Sequence, residues 1–357
     1  MDDNQRGSSD GHSSGGNHEL LEGEPGSSLV SSEDALRVAV LGLGKAGARH
    51  ARAAMECAAT RLVAVADSAP TARRSFQEID GDVVETLEEL LALRPEAVII
   101  ALPHSELANA ARRACAAGVH ILLEKPMATS RRDAREIVRQ AEEASIRLMV
   151  NYNHRFREEY QLAKRLLDEG RIGRPVLFVD QMLAAKGPLP DWVWQHEKAG
   201  GGMMTYNGSH QLDRMMWLSG SKVADVQALT ASLGYRRDLE DTALAHLRFE
   251  NGAVGSVVQH KSVSSRTLEA WETLIYGSEG AIRVRSGTGV ELSATGGNEL
   301  IPTLPGNRFV AALEELAAAI REERSPRPDG RSSLHTLACL KALYQSARQG
   351  TRVPVLE

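Results

Sequence analysis

Val38-Ala39-Val40-Leu41-Gly42-Leu43-Gly44-Lys45-Ala46-Gly47 is the stretch on which the reading of this chain turns. Four apolar residues run into the pattern Gly-x-Gly-x-x-Gly, and a helical stretch follows over 46–58. A second apolar run, Leu62-Val63-Ala64-Val65-Ala66, closes at Asp67, twenty residues beyond Gly47. Strand, glycine turn, helix, strand and acid in that order predict a dinucleotide site. Gly42 allows the tight turn, Gly44 lets the backbone approach a pyrophosphate, and Gly47 lets the helix pack on the strand. The helix N-terminus, with Lys45 and Ala46 in its first turn, offers free N–H groups and a positive dipole end to phosphates. Asp67, followed by Ser68, is placed to accept hydrogen bonds from ribose hydroxyls. A carboxylate there repels a ribose 2′-phosphate and no arginine adjoins it, so NAD is expected rather than NADP. Arg73 and Arg74 come later and read as a solvated helix face.

The same alternation continues outward to about residue 150. Short apolar runs at 62–66, 97–101, 119–123 and 148–151 read as strands buried on both faces, because they lack polar alternation. Helical stretches at 71–79, 86–93, 105–117 and 130–145 separate them. Residues 36–150 are therefore expected to form an α/β Rossmann domain, doubly wound around a mostly parallel sheet. Ligands of such sheets lie at the carboxyl ends of the strands. That brings Leu102-Pro103-His104 and Glu124-Lys125-Pro126 to the rim that holds Gly42 and Asp67.

Past residue 151 the pattern changes. A helix fits 156–169, and strands fit 175–184, 222–233, 241–249, 253–263 and 268–285. Asn251-Gly252 between two apolar runs is a hairpin signal. Residues 151–357 are expected to form an α+β domain with a large open, mostly antiparallel sheet. Helices at about 307–323 and 331–349 are expected to pack back on the first domain. Residues 1–35, rich in Ser, Gly and acidic side chains, are expected to be a disordered tail without the pattern of a secretory signal.

Bulk properties narrow the function. A net charge of −5 leaves no basic footprint for nucleic acid. No apolar run is long enough to span a membrane. The three cysteines, Cys57, Cys115 and Cys339, are scattered. They read as buried thiols in a reducing cytoplasm, with neither a disulfide framework nor metal-ligand spacing.

Two segments carry chemistry. Lys125, at the carboxyl end of the strand 119–123, lies where a nicotinamide must sit. Its ammonium can hydrogen-bond a substrate oxygen and stabilise a developing alkoxide. The tripeptide by itself fits an ordinary surface lysine equally well. The second segment is Gly200-Gly201-Gly202-Met203-Met204-Thr205-Tyr206-Asn207-Gly208-Ser209-His210-Gln211-Leu212-Asp213. His210 has the charge range for proton transfer near neutrality. A helix beginning near residue 203 would place Tyr206, His210 and Asp213 on one face.

Taken together, these motifs resemble the Gfo/Idh/MocA oxidoreductase family from about residue 36 onward, including the order of the two domains. The resemblance implies an NAD-dependent dehydrogenase that oxidises a secondary hydroxyl of a sugar, cyclitol, amino sugar, sugar nucleotide or aminoglycoside to a ketone, or runs the reverse reduction. It implies that Lys125 and His210 are the catalytic lysine and histidine. It also implies that Asn153, His154 and Arg155, with Tyr206 and Asn207, approach the substrate; as residues, 153–155 fit a capped strand-to-helix loop equally well. One departure stands out: the family usually has Asp where this chain has Tyr206. A phenol, with pKa about 10, is neutral unless perturbed. It can donate a hydrogen bond or, beside Lys125, act as the acid–base group. Asp213 can orient His210 in place of the missing Asp, or form a plain salt bridge.

Trp192 and Trp194 share one polar loop and either stack on an apolar sugar face or anchor the loop. The resemblance also takes in enzymes that recycle a bound cofactor without net redox, and catalytically silent NAD-binding regulators. It implies a homodimer or homotetramer, through an uncovered sheet face.

Overall fold

In the computed structural model the described residues are 34–187 and 189–356, so the expectation for residues 1–33 lies outside them. The apolar runs become β1 (Leu36–Leu41), β2 (Thr60–Ala66), β4 (Ala97–Ile100), β5 (His120–Leu123) and β6 (Leu148–Val150). A short β3 (Asp82–Val84) completes a parallel sheet in the order β3-β2-β1-β4-β5-β6. Val38, Val40, Ile99 and Leu122 are buried on one face, and Ala39, Val98, Ile121 and Leu123 on the other. That double burial is why the strand sequences show no alternation. β3 escapes sequence reading because it is a three-residue edge strand with no fully buried side chain.

The crossovers are α1 (Lys45–Glu56), α2 (Pro70–Arg74), α3 (Leu87–Ala92), α4 (His104–Ala116) and α5 (Arg131–Glu143). α2 is shorter than the expected 71–79, and none of its residues is buried. Strand order reverses between β1 and β4, and the reversal opens a crevice at the carboxyl ends of the strands.

The second sheet has nine strands. They are β7 (Pro175–Ala184), β8 (Val223–Ala231), β9 (Thr242–Phe249), β10 (Val254–Lys261), β11 (Ala270–Gly277), β12 (Ala281–Arg285), β13 (Gly289–Ala294), β14 (Gly297–Pro302) and β15 (Val353–Pro354). Their order is β14-β13-β12-β11-β7-β10-β9-β8-β15, antiparallel throughout except for the parallel pair of β7 and β10. The single strand expected over 268–285 is two, β11 and β12, turned at 277–280. β13 and β14 were not anticipated. β14 is an edge strand exposed along most of its length, so it carries no buried alternation to read.

α6 (Glu158–Asp168), α8 (Ser209–Ser219) and α10 (Gly330–Gln349) share one core cluster with the strands of this sheet. A short α7 (His196–Ala199) precedes the glycine segment. α9 (Arg308–Arg321) returns to the first sheet, where Phe309, Leu313 and Leu316 pack with Val38, Val40 and Ile99. α10 packs mainly on β8, α8 and α5, so it joins the two sheets rather than lying on the first alone. The other face of the large sheet leaves the cross-strand pair Leu229 and Leu244 exposed, at 67% and 45%. Among the described residues no helix is long and apolar enough to cross a membrane, and all three cysteines are free and buried.

Candidate active site

The crevice is a cavity of about 1050 Å³ bounded by the carboxyl ends of the first sheet, the segment around Tyr206, and β7, β10 and β11. Its dinucleotide end is built by the glycine loop. Gly42 has φ +88, and a Cβ there would lie 2.5 Å from the Ala101 carbonyl oxygen. A Cβ on Gly47 would lie 1.7 Å from the Gly42 carbonyl oxygen, so α1 is pressed directly onto the loop. At Gly44 a Cβ would point into open space, and no side chain caps α1. The first N–H groups of α1, at Lys45 and Ala46, are therefore left for an oxyanion, and the residues fit a dinucleotide pyrophosphate.

Asp67 lines the cavity and also braces the loop. Its Oδ2 accepts from Leu43 N at 2.6 Å and its Oδ1 from Ala69 N at 2.8 Å. Arg73, expected on a solvated face, instead folds back and donates to the carbonyl oxygens of Asp67 (2.6 Å) and Ser68 (3.1 Å). It also pairs with Glu85 at 3.2 Å, so its charge is already engaged, while Arg74 is exposed. Replacing Asp67 with alanine is expected to weaken NAD binding roughly tenfold or more, since hydrogen bonds to charged groups are worth about 1.5–3 kcal/mol. It should also narrow the preference over NADP. Titration with both cofactors checks this, and unchanged affinities for both would remove Asp67 from the site.

Lys125 follows Glu124 at the end of β5. Its Nζ donates to the Tyr206 carbonyl oxygen and lies 4.9 Å from the Tyr206 ring centroid. Burial lowers the lysine pKa, and the Glu124 charge opposes that shift. Burial alone would raise the Glu124 pKa, but His50, Lys125 and Asn151 together bring it below the ordinary value. His50 Nε2 lies 2.9 Å from Glu124 Oε1, and Asn151 Nδ2 donates to the same oxygen at 2.6 Å. Thus an ionised carboxylate, itself held by two buried polar side chains, stands directly behind the lysine.

His210 begins α8 after a π-helical turn, Met204–Gly208. The wider turn changes the expected register. Tyr206, Asn207 and His210 line the cavity, but Asp213 does not. Buried Asp213 is held instead by Arg155 through two hydrogen bonds, at 2.8 and 2.7 Å. Asp213 therefore does not orient His210, and Arg155, which lies over Trp217, does not reach the cavity. A buried carboxylate requires such a cation, which explains why both residues turn away from the crevice.

The partner of His210 is His154. Their rings stack at 4.1 Å with 6° between planes. Arg214 Nη1 donates to His154 Nδ1 at 2.6 Å, which places the His154 proton on Nε2. Arg214 is aimed by Asp180, with Nε–Oδ2 at 3.0 Å and Nη2–Oδ1 at 2.6 Å, and Asp180 also accepts from Thr273 Oγ1 at 2.7 Å. Burial depresses both histidine pKa values well below the ordinary one. His210 and Arg214 add to this at His154, and Lys125 and Arg214 add to it at His210. The stacked pair is therefore neutral near pH 7. His210 Nδ1 is buried without a partner, so Nε2 is the nitrogen open to the cavity.

Burial raises the Tyr206 pKa, with the Glu124 charge adding, so the phenol stays protonated. Its backbone carbonyl, not its hydroxyl, meets Lys125. Tyr206 thus presents a protonated hydroxyl, and its ring faces the ammonium. His104 is neutral, its pKa pushed down to about 3 by burial and by Lys125, and its Nδ1 donates to the Ala199 carbonyl oxygen at 2.8 Å. Trp192 packs edge-on against His104 at 4.7 Å and lines the cavity. Trp194 lies on Tyr235 at 4.7 Å and anchors the loop outside it. Leu102, Pro103, Ser68 and Asn153 line the cavity as expected. Arg49, Arg157, Lys261, Trp271 and Arg308 also line it and were not anticipated, because no local motif marks them.

Comparisons with known proteins agree with this geometry. Residues 36–152 match a family model described as an oxidoreductase family with an NAD-binding Rossmann fold. Residues 160–283 match the GFO/IDH/MocA C-terminal domain. Inositol 2-dehydrogenase of Rhizobium meliloti is 26% identical over 336 residues, covering 90% of this chain and 99% of the relative. The aldose-aldose oxidoreductase of Caulobacter crescentus, solved with glycerol, superposes with a TM-score of 0.81 at 25% identity, covering 90% of this chain and 99% of that one. The WlbA dehydrogenase of Bordetella pertussis, solved with NADH and UDP-GlcNAcA, gives 0.79 at 27% identity, covering 91% and 99%.

Proposed function

This chain belongs to the Gfo/Idh/MocA oxidoreductase family, and from that membership we propose that it is an NAD-dependent dehydrogenase acting on a secondary hydroxyl of a sugar-like molecule. The class spans sugars, cyclitols, amino sugars, sugar nucleotides and aminoglycosides. The observation that carries the reading is that Lys125 and His210, from the ends of different elements, line one cavity beside the dinucleotide loop.

Bound NAD supplies the electron acceptor. Lys125 exchanges the Tyr206 carbonyl for the substrate oxygen and stabilises negative charge as it develops there. Glu124 behind it keeps the ammonium charged against the burial that lowers its pKa. His210 Nε2, unprotonated near pH 7, accepts the hydroxyl proton. Burial, Lys125 and Arg214 disfavour a lasting charge on that ring. In the reduction direction the same imidazolium is a strong acid. His154 Nε2–H and the Tyr206 hydroxyl donate to neighbouring substrate oxygens, while Trp192 and Trp271 offer apolar walls to a sugar ring.

The test is NADH formation by absorbance across panels of sugars, inositols, amino sugars, sugar nucleotides and aminoglycosides. Turnover on one class is expected. Conversion of sugar without NADH would identify internal recycling instead, and NAD binding without any conversion would identify a silent regulator. The open sheet face bearing Leu229 and Leu244 supports self-association into a homodimer or homotetramer. Light scattering should show no monomer, and a monomer at working concentration would end this reading.

A further inference from the structure

Three arginines from distant parts of the chain converge on the cavity: Arg49 from α1, Arg157 from the loop after β6, and Arg308 from the first turn of α9. Arg49 and Arg308 form no hydrogen bond or ion pair with any described side chain. The Nε atoms of Arg157 and Arg308 are buried and unpartnered. Arg157 has one carboxylate neighbour, Glu159, at 3.1 Å, and Glu159 also accepts from Gly287 N. Arg157 and Arg49 both lie within electrostatic reach of Arg308, and burial together with them lowers the Arg308 pKa to about 10 against the opposing charges of Glu159 and Glu124. Arg308 and Arg157 also help to lower the pKa of both His154 and His210, which line the same cavity. The carboxylate nearest Lys125, Glu124, is already occupied by His50 and Asn151. A site for a neutral polyol does not require this charge. A half-buried guanidinium without a carboxylate partner, as at Arg308, is costly unless an anion meets it, and a planar fork of donors suits a carboxylate or phosphate.

We infer that Arg49, Arg157 and Arg308 form a subsite for an oxyanion carried by the substrate, so that the preferred substrate is an acidic sugar derivative bearing a carboxylate or a phosphate. The inference rests on the dehydrogenase reading. The pyrophosphate is the other oxyanion that enters this cavity, but the N-terminus of α1 at Gly44 already provides for it.

The test compares glucose with glucuronate and with glucose phosphate, galactose with galacturonate, and UDP-GlcNAc with UDP-GlcNAcA, in wild type and in Arg308→Gln and Arg49→Gln. Arg49 is exposed and unbonded, so its replacement does not threaten folding. In at least one pair the acidic member is expected to have the higher kcat/KM. The arginine variants should reduce that preference roughly 10- to 100-fold, chiefly through KM. A preference for the neutral members, or one that the variants leave intact, overturns the inference while the dehydrogenase reading stands. Weaker NAD binding in the variants with an unchanged acid-to-neutral ratio assigns the arginines to the cofactor and also overturns it. If no sugar is turned over, the dehydrogenase reading fails. Calorimetric titration of the NAD-loaded protein with glucuronate then decides the subsite: binding lost in both variants sustains it, and arginine-independent or absent binding overturns it.

Discussion

Lys125→Ala is expected to lower kcat roughly 10²- to 10³-fold while NAD remains bound, the loss found when one donor to a developing oxyanion is removed. In the proposed mechanism the ammonium meets the substrate oxygen, and water in a half-buried crevice cannot replace it with the same fixed geometry. The fold should survive the change. Glu124 still holds His50 and Asn151, and the main-chain bond from Glu124 N to Ile100 O remains. The NADH-absorbance rate and the NAD dissociation constant, measured on the same preparation, separate the two effects. Turnover within a few-fold of wild type would reject Lys125 as the group that holds the substrate oxygen.

Asp180→Ala is expected to destabilise the protein by about 3–5 kcal/mol, the cost of breaking a buried ion pair by removing one partner. Asp180 is fully buried and aims Arg214, which itself lies 4.6 Å from the Tyr160 ring centroid. Without the carboxylate the guanidinium stays buried and uncompensated, and Thr273 and Gln211 each lose one acceptor, although Gln211 keeps its bond to Val258 O. The hydrogen bond that fixes the His154 tautomer then loses its support, so activity should fall as well. Urea unfolding reads the stability. Asp180→Leu combined with Arg214→Met should cost less than Asp180→Ala alone, because no charge is stranded. A single-variant loss below about 1 kcal/mol would mean that Arg214 has another anchor, contrary to the packing described.

Features set by local chain chemistry were readable from the sequence. The glycine turn follows from φ at Gly42 and from the close approach at Gly47, and both leave a fixed spacing. The position of Lys125 follows from the rule that ligands meet strand ends. Trp194 and Arg155 were not separable from Trp192 and His154 by sequence, because their partners, Tyr235 and Asp213, lie far along the chain. The π-helical turn at 204–208 has no signature that distinguishes it from an α-helical start, so the face shared by Tyr206 and His210 could be anticipated but the departure of Asp213 could not. The convergence of Arg49, Arg157 and Arg308 depends on α9 returning both to α1 and to the turn at Asn153–Phe156, and nothing near any of the three residues encodes it.

That return has a consequence during synthesis. The strands β1, β4, β5 and β6 leave the ribosome early, but Phe309, Leu313 and Leu316, which cover one of their faces, come from α9. At translation speeds of about 5–20 residues per second, the interval between β6 and the end of α9 is on the order of ten to thirty seconds. For that time Val38, Val40, Ile99 and Leu122 have α1 against their face but lack the part of the cover that α9 supplies. A chain terminated before Arg308 lacks the apolar side chains of α9 on that face.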